Sequence, residues 1–271
     1  MAIKLEWQAL LADQKATEPS YLRYIRENAG FFLCDSQRSL ISISELQFGA
    51  DYRPDFVVAT DEASYGFKYE LIELESPHDI VYKKSVDPSA HLTEAINQVQ
   101  KWQLWLDANR AEAKRLFPSK QFQAFDKPNF DFLIIIGRRE ALQAHLHMRN
   151  YNADSLSIRI RSFDYLTDRL FQRYFYSLPF QFSDEMNNLS PILRNKLVNP
   201  FAKSFTSGEW RGITGSFQLN PTHMVAKNAD LLILRMKYND RLSSFMLDWD
   251  ALPDDEKNRY WEAIRIAHGV D

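Results

Sequence analysis

One short apolar block, Leu133 to Ile136, limits the possible folds of this chain more than any other feature. It reads Leu-Ile-Ile-Ile, and its length and β-branched side chains predict a buried central strand rather than a membrane-spanning helix. Helical and strand patterns surround it on both sides. Their order is one helix, three strands, one helix and this strand, followed by a helix, a strand and a helix. We therefore expect an α/β protein, of the α+β kind with a mixed sheet, built on an αβββαβ core.

Capping residues and hydrophobic periodicity set the expected bounds of these elements. Thr17, followed by an acid and a proline, predicts the start of a helix that ends by Gly30. Asp87-Pro88 predicts the start of a long amphipathic helix. The expected helices are residues 18–28, 88–117, 138–148 and 164–176. The expected strands are residues 39–44, 47–60, 67–76, 131–137 and 156–161.

The last third of the chain has a different character. From about residue 181 the hydrophobic periodicity is lost, and the turn-forming residues Asn, Pro, Ser and Gly become frequent. We therefore place a domain boundary near residue 180. Residues 1–180 would form the main domain, and residues 181–271 a C-terminal appendage that packs on it. Within the appendage we expect a strand at 231–238 and a final helix that starts at Pro253. Its aromatic residues, Trp210 among them, are expected to pack against the main domain rather than to stack on bases.

The composition excludes several classes of protein. With 271 residues, 45% of them hydrophobic, the chain can bury the core of one large domain or of one domain with an appendage. A net charge of -3 argues against a globally basic surface that binds nucleic acid, so any contact with DNA must be made by a local basic patch. Cys34 is the only cysteine, which excludes an internal disulfide. Because we find no signal peptide and no apolar run of membrane-spanning length, we expect a soluble, cytoplasmic protein without a membrane partner.

Two glutamates one residue apart carry the strongest functional signal. Because side chains alternate along a strand, Glu73 and Glu75 project from the same face of the strand expected at 67–76. If residues 47–60 pair with it as a hairpin, opposing residue numbers sum to about 127 or 128, which places Asp55 opposite or diagonal to Glu73. Three converging carboxylates repel one another and require a compensating cation. Oxygen ligands of this kind suit Mg²⁺ or Mn²⁺.

Four short segments resemble a known group of enzymes. They are Tyr-Arg-Pro-Asp-Phe at 52–56, Glu-Leu-Glu-Ser-Pro at 73–77, Asp-Pro-Ser-Ala-His at 87–91 and Ala-Ile-Asn-Gln-Val at 95–99. Together with the αβββαβ order, they resemble the PD-(D/E)xK nuclease superfamily, and most closely the nuclease domain of Shedu antiphage-defence proteins. The resemblance covers about residues 18–170 and implies a restriction-endonuclease-like core. It also implies a metal-dependent nuclease that hydrolyses DNA in prokaryotic antiphage defence and assembles into a homo-oligomer. The sequence leaves open whether the nucleic acid is double-stranded DNA, single-stranded DNA or RNA.

The resemblance further implies roles for individual residues. Asp55 and Glu73 match the positions that hold the divalent ion, Mg²⁺ or Mn²⁺, and Glu18 matches an acid of the first helix that often completes such sites. Glu75 stands where the superfamily usually has lysine, and it would orient or deprotonate the attacking water. Gln98, on the following helix, would position the phosphate or the water. The implied reaction is an in-line phosphodiester hydrolysis by a metal-activated water.

The glutamate at position 75 leaves other functions open. Without the motif lysine, the chain could be a catalytically inactive nuclease fold that serves as a nucleic-acid-binding or assembly subunit. A glycosidase with a pair of catalytic carboxylates is a third interpretation. It requires acids about 5 to 10 Å apart across an open sugar cleft. Glu73 and Glu75 are held rather close for that, and no aromatic platform for a sugar is evident near them.

Four cationic residues are candidates for contact with nucleic acid: Lys83, Lys84, Arg159 and Arg161. The two lysines could bind phosphate, although a solvated loop is the simpler interpretation. The two arginines alternate onto one face of a strand and, with Arg138 and Arg139, could form a local basic track. His91 lies on about the same helix face as Gln98, and we interpret it as a structural residue.

Overall fold

A mixed β-sheet lies at the centre of the protein in a computed structural model that describes residues 2–33, 39–62, 67–117, 129–176, 204–215 and 253–255. The strands in these ranges are β1 (Ser39–Ser44), β2 (Phe56–Asp61), β3 (Phe67–Leu74), β4 (Asn129–Ile135), β5 (Arg159–Arg161) and β6 (Phe205–Thr206). Their order across the sheet is β5-β4-β3-β2-β1-β6. β1, β2 and β3 pair antiparallel, whereas β3, β4 and β5 run parallel, as do β1 and β6.

Helices cover both faces of this sheet. They are α1 (Ala2–Ala12), α2 (Glu18–Glu27), α3 (Ala29–Phe32), α4 (Ala90–Ala108), α5 (Arg110–Leu116), α6 (Arg139–Gln143), α7 (Leu146–Leu156), α8 (Phe163–Tyr176) and α9 (Ser207–Gly215). One core packs under α1, α2, α3 and α8, and a second core packs under α4 to α7 and α9. Across the described ranges, none of the helices combines the length and the apolar character needed to cross a membrane.

β4 divides its side chains between the two cores. Leu133 and Ile135 pack against the α1, α2, α3 and α8 side, while Ile134 and the next residue, Ile136, pack against the α4 side. All four side chains are at most 1% exposed. The expectation of a buried central strand is therefore confirmed. Burial on both faces also explains why this block is apolar at every position instead of alternating.

The hairpin of β2 and β3 has the register expected from the sequence. Phe56 pairs with Ile72, so opposing residue numbers sum to 128. Asp55 comes directly before β2 and therefore lies at the position opposite Glu73. Its carboxylate accepts a hydrogen bond from the backbone N–H of Leu74 at 2.8 Å. This register brings the first two candidate ligands to one place.

The N-terminal half differs from the expected bounds in three ways. The sequence did not predict α1. α2 starts at Glu18 as expected, but it ends at Glu27, and Gly30 lies inside the short helix α3. The strand expected at 47–60 is shorter, because Phe48 and Tyr52 form a separate antiparallel bridge and β2 begins only at Phe56.

The middle helices also begin and end at other residues than expected. The N-cap of α4 is Ser89 rather than Asp87, since its hydroxyl accepts the N–H of Leu92 at 3.2 Å. The expected helix 88–117 is broken at Asn109, whose side chain bonds to the carbonyl of Trp105 at 2.9 Å and competes with helical pairing. The expected helix 138–148 is likewise divided into α6 and α7.

The end of α7 shortens the next strand. α7 continues to Leu156, where a strand was expected, and ends at Ser157 in a left-handed conformation with φ 54°. β5 is therefore limited to Arg159–Arg161.

Part of the C-terminal segment joins the sheet and the second core. β6 pairs parallel with β1, and α9 places Trp210 in the core, fully buried. The indole N–H of Trp210 donates a hydrogen bond to the carbonyl of Leu116 at 2.9 Å. Trp210 is therefore a packing residue and is not available to stack on bases. The boundary expected near residue 180, the strand at 231–238 and most of the final helix lie outside the described residues.

Candidate metal centre

The candidate site lies at the edge of the sheet where the parallel strands β3, β4 and β5 end. Glu73 is the penultimate residue of β3, and Glu75 follows the strand. Pairing with β4 continues beyond β3, because the backbone N–H of Glu75 donates to the carbonyl of Ile135 at 2.9 Å. The loop 76–88 then leads from this edge to α4. The carboxyl ends of parallel strands are a common place for ligand sites in α/β proteins.

Glu73 is a buried acid with one satisfied and one unsatisfied oxygen. Its side chain is 8% exposed and faces α4, where Gln98 Nε2 donates a hydrogen bond to Glu73 Oε1 at 2.7 Å. The other oxygen, Oε2, is buried and has no hydrogen-bond partner among the described residues. Burial raises the pKa of Glu73 well above its usual value, and the charges of Asp55, Glu75 and Glu18 raise it further. An unpartnered carboxylate oxygen in this position is costly unless a ligand contacts it.

Asp55 adds a second acid, partly buried, to the same place. Burial raises the pKa of Asp55 to about 7, and the charges of Glu18 and Glu45 act in the same direction. The hydrogen bond from the backbone of Leu74 opposes this rise but does not reverse it. Arg53 also lowers the pKa of Asp55, yet Arg53 is itself ion-paired with Glu45 at 3.5 Å.

Glu75 and Glu18 complete the group of carboxylates. Burial raises the pKa of Glu75 to about 8, followed by the charges of Glu18, Asp79 and Asp55. The pKa of Glu18 is also raised, by burial and by the charge of Asp79, while His91 lowers it. Glu18 is the first residue of α2, which packs on the opposite face of the sheet from α4. Helix α2 therefore adds one acid to the three that the strands β2 and β3 place at this edge of the sheet.

The position of α2 is secured through the loop after β3. His78 Nε2 lies 3.2 Å from the hydroxyl of Tyr21 and 3.2 Å from the carbonyl of Asp13. His78 thus joins this loop to α2 and to the end of α1, and it keeps Glu18 near the carboxylates of the sheet.

The chemistry of the donor set fits a divalent cation. Asp55, Glu73, Glu75 and Glu18 all have raised pKa values, because each is desolvated and each lies near other acids. A bound cation would favour their charged forms and would contact the unpartnered Glu73 Oε2. Four hard oxygen ligands are suited to Mg²⁺ or Mn²⁺. The structure places the four acids that the sequence proposed close enough for their charges to act on one another.

Asp79 and His91 also belong to this edge. Sequence reasoning assigned no role to Asp79 and only a structural role to His91. His91 Nδ1 lies 3.9 Å from Glu75 Oε2 and 3.9 Å from Asp79 Oδ2. One ligand atom from each of these three residues lies within 4.8 Å of the others. The side chain of His91 is 58% exposed, which does not fit the structural role that we assigned to it. The available signal was the closeness of Asp79 to Glu75 in the sequence, but nothing there predicted that the loop brings His91 back to them.

Most arginines near the expected basic track are paired with acids. Arg159 is ion-paired with Glu70 and lies 3.6 Å from Asp131. Arg138 donates two hydrogen bonds to Asp164, at 2.8 and 3.1 Å. Arg139 is likewise paired, with Asp168. These pairs offset the positive charge that a nucleic-acid backbone would meet there.

Three of the candidate cations form no ion pair within the part of the chain that the structure describes. Lys83 and Lys84 are exposed on the loop between β3 and α4. Arg161 ends β5 at the same sheet edge as the carboxylates and makes no ion pair with other described residues. Burial lowers the pKa of Arg149, and the neighbouring charge of Arg161 lowers it further, so two like charges lie close together here.

The fold and the site together define a mixed α/β domain with a carboxylate-rich candidate metal centre at one sheet edge. The family described as "Shedu protein SduA, C-terminal" matches residues 15–167, which is more than half of the chain. This protein therefore belongs to the Shedu family. The match begins just before α2 and ends within α8, so it includes every residue of the candidate metal centre. No curated protein and no solved structure matches the chain.

Proposed function

We propose that this protein is a divalent-metal-dependent nuclease that hydrolyses DNA phosphodiester bonds in antiphage defence, and that its core is of the restriction-endonuclease-like PD-(D/E)xK type. The observation that carries the proposal is Glu73 Oε2, a buried and unpartnered oxygen within a group of acids. Membership of the Shedu family supports the defence role. Phage DNA would be met in the cytoplasm, and assembly into a homo-oligomer is part of the same proposal.

Asp55 and Glu73 would hold Mg²⁺ or Mn²⁺, with Glu18 as the third acid. When bound, such an ion supplies Lewis acidity, because it lowers the pKa of a coordinated water and offsets charge on the phosphate. Asp55 approaches from β2 and Glu73 from β3, so the rigid sheet sets their separation. The backbone N–H of Leu74 fixes the rotamer of Asp55 through its hydrogen bond at 2.8 Å. The ligands would thus be largely placed before metal binds.

Gln98 acts in this proposal as a positioning residue. Its amide N–H donates to Glu73 Oε1 at 2.7 Å and leaves Oε2 directed away from that bond. A neutral donor can orient a metal ligand without competing for its charge. Gln98 would therefore select the oxygen of Glu73 that contacts the metal.

Glu75 would perform the work of the lysine that is usual at its position. Its pKa of about 8 in the metal-free protein means that it holds a proton at neutral pH. A nearby cation would lower this pKa, and Glu75 could then orient the attacking water and accept its proton. The proton of the water would pass to a carboxylate oxygen of Glu75 as the water oxygen attacks phosphorus. The P–O bond to the leaving sugar oxygen would break, and solvent would protonate that oxygen.

Contact with the DNA backbone would be made by a few cations near the sheet edge. Arg161, beside Arg149, and the exposed Lys83 and Lys84 are the candidates. Arg159 would contribute less, because Glu70 and Asp131 already offset its charge. Such a small number of phosphate contacts agrees with the net charge of -3.

The test is cleavage of plasmid and single-stranded DNA in Mg²⁺ or Mn²⁺, compared with EDTA. We expect cleavage by the wild type and its loss in Glu73→Gln, which keeps the shape of the side chain but removes its charge. The control is Glu112→Gln, at an exposed site on α5. Wild-type protein that binds DNA but leaves it uncut in both metals would contradict the proposal. It would favour a catalytically inactive binding or assembly subunit, the alternative that the glutamate at position 75 suggests.

A further inference from the structure

We propose that Glu75, Asp79 and His91 form a second divalent-cation site, distinct from that of Asp55 and Glu73 and selective for a transition-metal ion such as Mn²⁺ over Mg²⁺. The inference that this cation binds depends on the arrangement of these three side chains and not on the proposed function. Only its participation in cleavage rests on the function proposed above.

The three side chains face one another but are too far apart to bond directly. His91 Nδ1 is 3.9 Å from the nearest oxygen of Glu75 and of Asp79, and all three ligand atoms lie within 4.8 Å of one another. These distances are too long for direct hydrogen bonds. Ligands of a metal with bonds of about 2.1 Å lie roughly 3 Å apart, so His91 Nδ1 needs to approach each carboxylate oxygen by about 1 Å, and the two carboxylates need to approach each other by less than about 2 Å. His91, with 58% of its side chain exposed, has room to make this movement.

Separate parts of the backbone deliver these ligands. The backbone of Glu75 is held against β4 by its hydrogen bond to Ile135 at 2.9 Å. The carboxylate of Asp79 accepts the backbone N–H of Ser76 at 3.0 Å, which orients it within the loop. His91 lies in the first turn of α4, two residues after the N-cap. Two of the three ligands are therefore preorganised, and the third, His91, is exposed on the first turn of a helix.

The charge around this site gives an independent reason for a second cation. Five carboxylates, those of Glu18, Asp55, Glu73, Glu75 and Asp79, act on one another at this edge. With all five carboxylates ionised, a single divalent cation would offset less than half of the charge of this group. The residual field favours a second positive ion beside Glu75.

The ligand types determine which metal the second site selects. An imidazole nitrogen suits Mn²⁺, Zn²⁺ and related ions, whereas Mg²⁺ strongly prefers oxygen ligands and retains its waters. The site of Asp55 and Glu73 offers oxygen alone, so it discriminates less between Mg²⁺ and Mn²⁺. Glu75 borders both sites, and if the proposed function holds, two ions placed there could stabilise the attacking and the leaving oxygen of the phosphodiester.

The experiment counts Mn²⁺ bound to the full chain, with free Mn²⁺ measured by electron paramagnetic resonance. We expect two Mn²⁺ in the wild type, one in His91→Ala and one in Asp55→Asn. Excess Mg²⁺ should displace one of the two ions from the wild type. His147→Ala, at an exposed histidine on α7, is the control and should retain both. Electron spin-echo spectra of the bound Mn²⁺ should show coupling to a histidine nitrogen that His91→Ala abolishes.

The outcomes separate this inference from the proposed function. Two Mn²⁺ retained in His91→Ala, or no nitrogen coupling in the wild type, would overturn the second site and leave the first one standing. Two Mn²⁺ retained in Asp55→Asn, with one lost in His91→Ala, would instead overturn the proposed catalytic site. The spin-echo measurement uses wild-type protein and therefore does not depend on the folding of any variant. His91→Asp offers a further check, because an oxygen ligand at this position should keep the site but reduce its preference for Mn²⁺ over Mg²⁺.

Discussion

The charge of Asp55 destabilises the folded, metal-free protein, because the carboxylate is desolvated and lies near other acids. We therefore predict that removing this charge stabilises the metal-free protein. The pKa of Asp55 rises from 3.8 to about 7, which at 1.36 kcal/mol per pKa unit corresponds to about 4 kcal/mol. Because the folded-state pKa is the higher one, the folded protein holds more protons than the unfolded chain between about pH 4 and 7. The free energy of unfolding therefore falls as the pH rises through this window, and the full penalty is present above it.

Asp55→Asn keeps an oxygen that can accept the N–H of Leu74 but cannot ionise. At pH 8 in EDTA we expect it to raise the free energy of unfolding by about 1 to 4 kcal/mol, less than the full value because neighbouring acids share protons with Asp55. The corresponding rise in melting temperature is at least about 2 °C. The gain should shrink as the pH is lowered to 5. Added Mg²⁺ should stabilise the wild type but not this variant, because the ligand charge is gone.

Thermal unfolding followed by circular dichroism, at pH 5 and pH 8 and with EDTA or Mg²⁺, measures all of these effects. Asp51→Asn, at an exposed aspartate in the loop between β1 and β2, is the matched control and should be neutral. Two results would refute this reasoning: Asp55→Asn is no more stable than the wild type at pH 8, or its free energy of unfolding rises equally at both pH values. In either case the charge of Asp55 does not destabilise the fold, and the argument for a cation at this edge fails.

Three further predictions concern separate contacts. Gln98→Ala should weaken Mg²⁺ binding by about 10- to 100-fold, because it removes the hydrogen bond to Glu73 Oε1. Gln143→Ala, at an exposed glutamine, is the control and should leave Mg²⁺ binding unchanged. Melting temperatures measured at increasing Mg²⁺ concentrations compare the two variants. Arg161→Ala should weaken DNA binding and reduce the slope of log affinity against log salt concentration by about 1. Arg139→Ala should have a smaller effect, because Arg139 is already paired with an acid. Equal effects of the two substitutions in binding assays would count against a phosphate contact at Arg161. Trp210→Ala should lower the free energy of unfolding by about 3 to 5 kcal/mol, and an unchanged denaturant midpoint would contradict its place in the core.

Local patterns predicted the parts of the fold that depend on near neighbours. The apolar block Leu133 to Ile136 became β4, because side chains buried on both faces leave no polar position in the strand. The hairpin register followed from alternation and loop length, since a slip of one residue would turn every side chain to the other face. Asp55 and Glu73 were therefore expected together before any tertiary contact was known.

The ends of elements were less predictable, because competing local bonds are nearly equal in energy. Asp87 and Ser89 are both good N-cap residues, and the structure uses the second. Asn109 could have continued its helix, but its side chain bonds to a carbonyl of the preceding turn instead. Packing decides between such alternatives, and a single sequence does not reveal it.

The amino-acid sequence by itself determined the central strand, the hairpin register and the acids that meet on it. Only the tertiary structure placed Asp79 and His91 beside Glu75, because that depends on the path of the loop 76–88. The loop packs against Gly137, at φ 65°, where a Cβ atom would lie 2.5 Å from Val81 Cγ2 and 3.1 Å from the carbonyl of Asp79. This close approach joins residues far apart in the chain, so no local pattern could have predicted it.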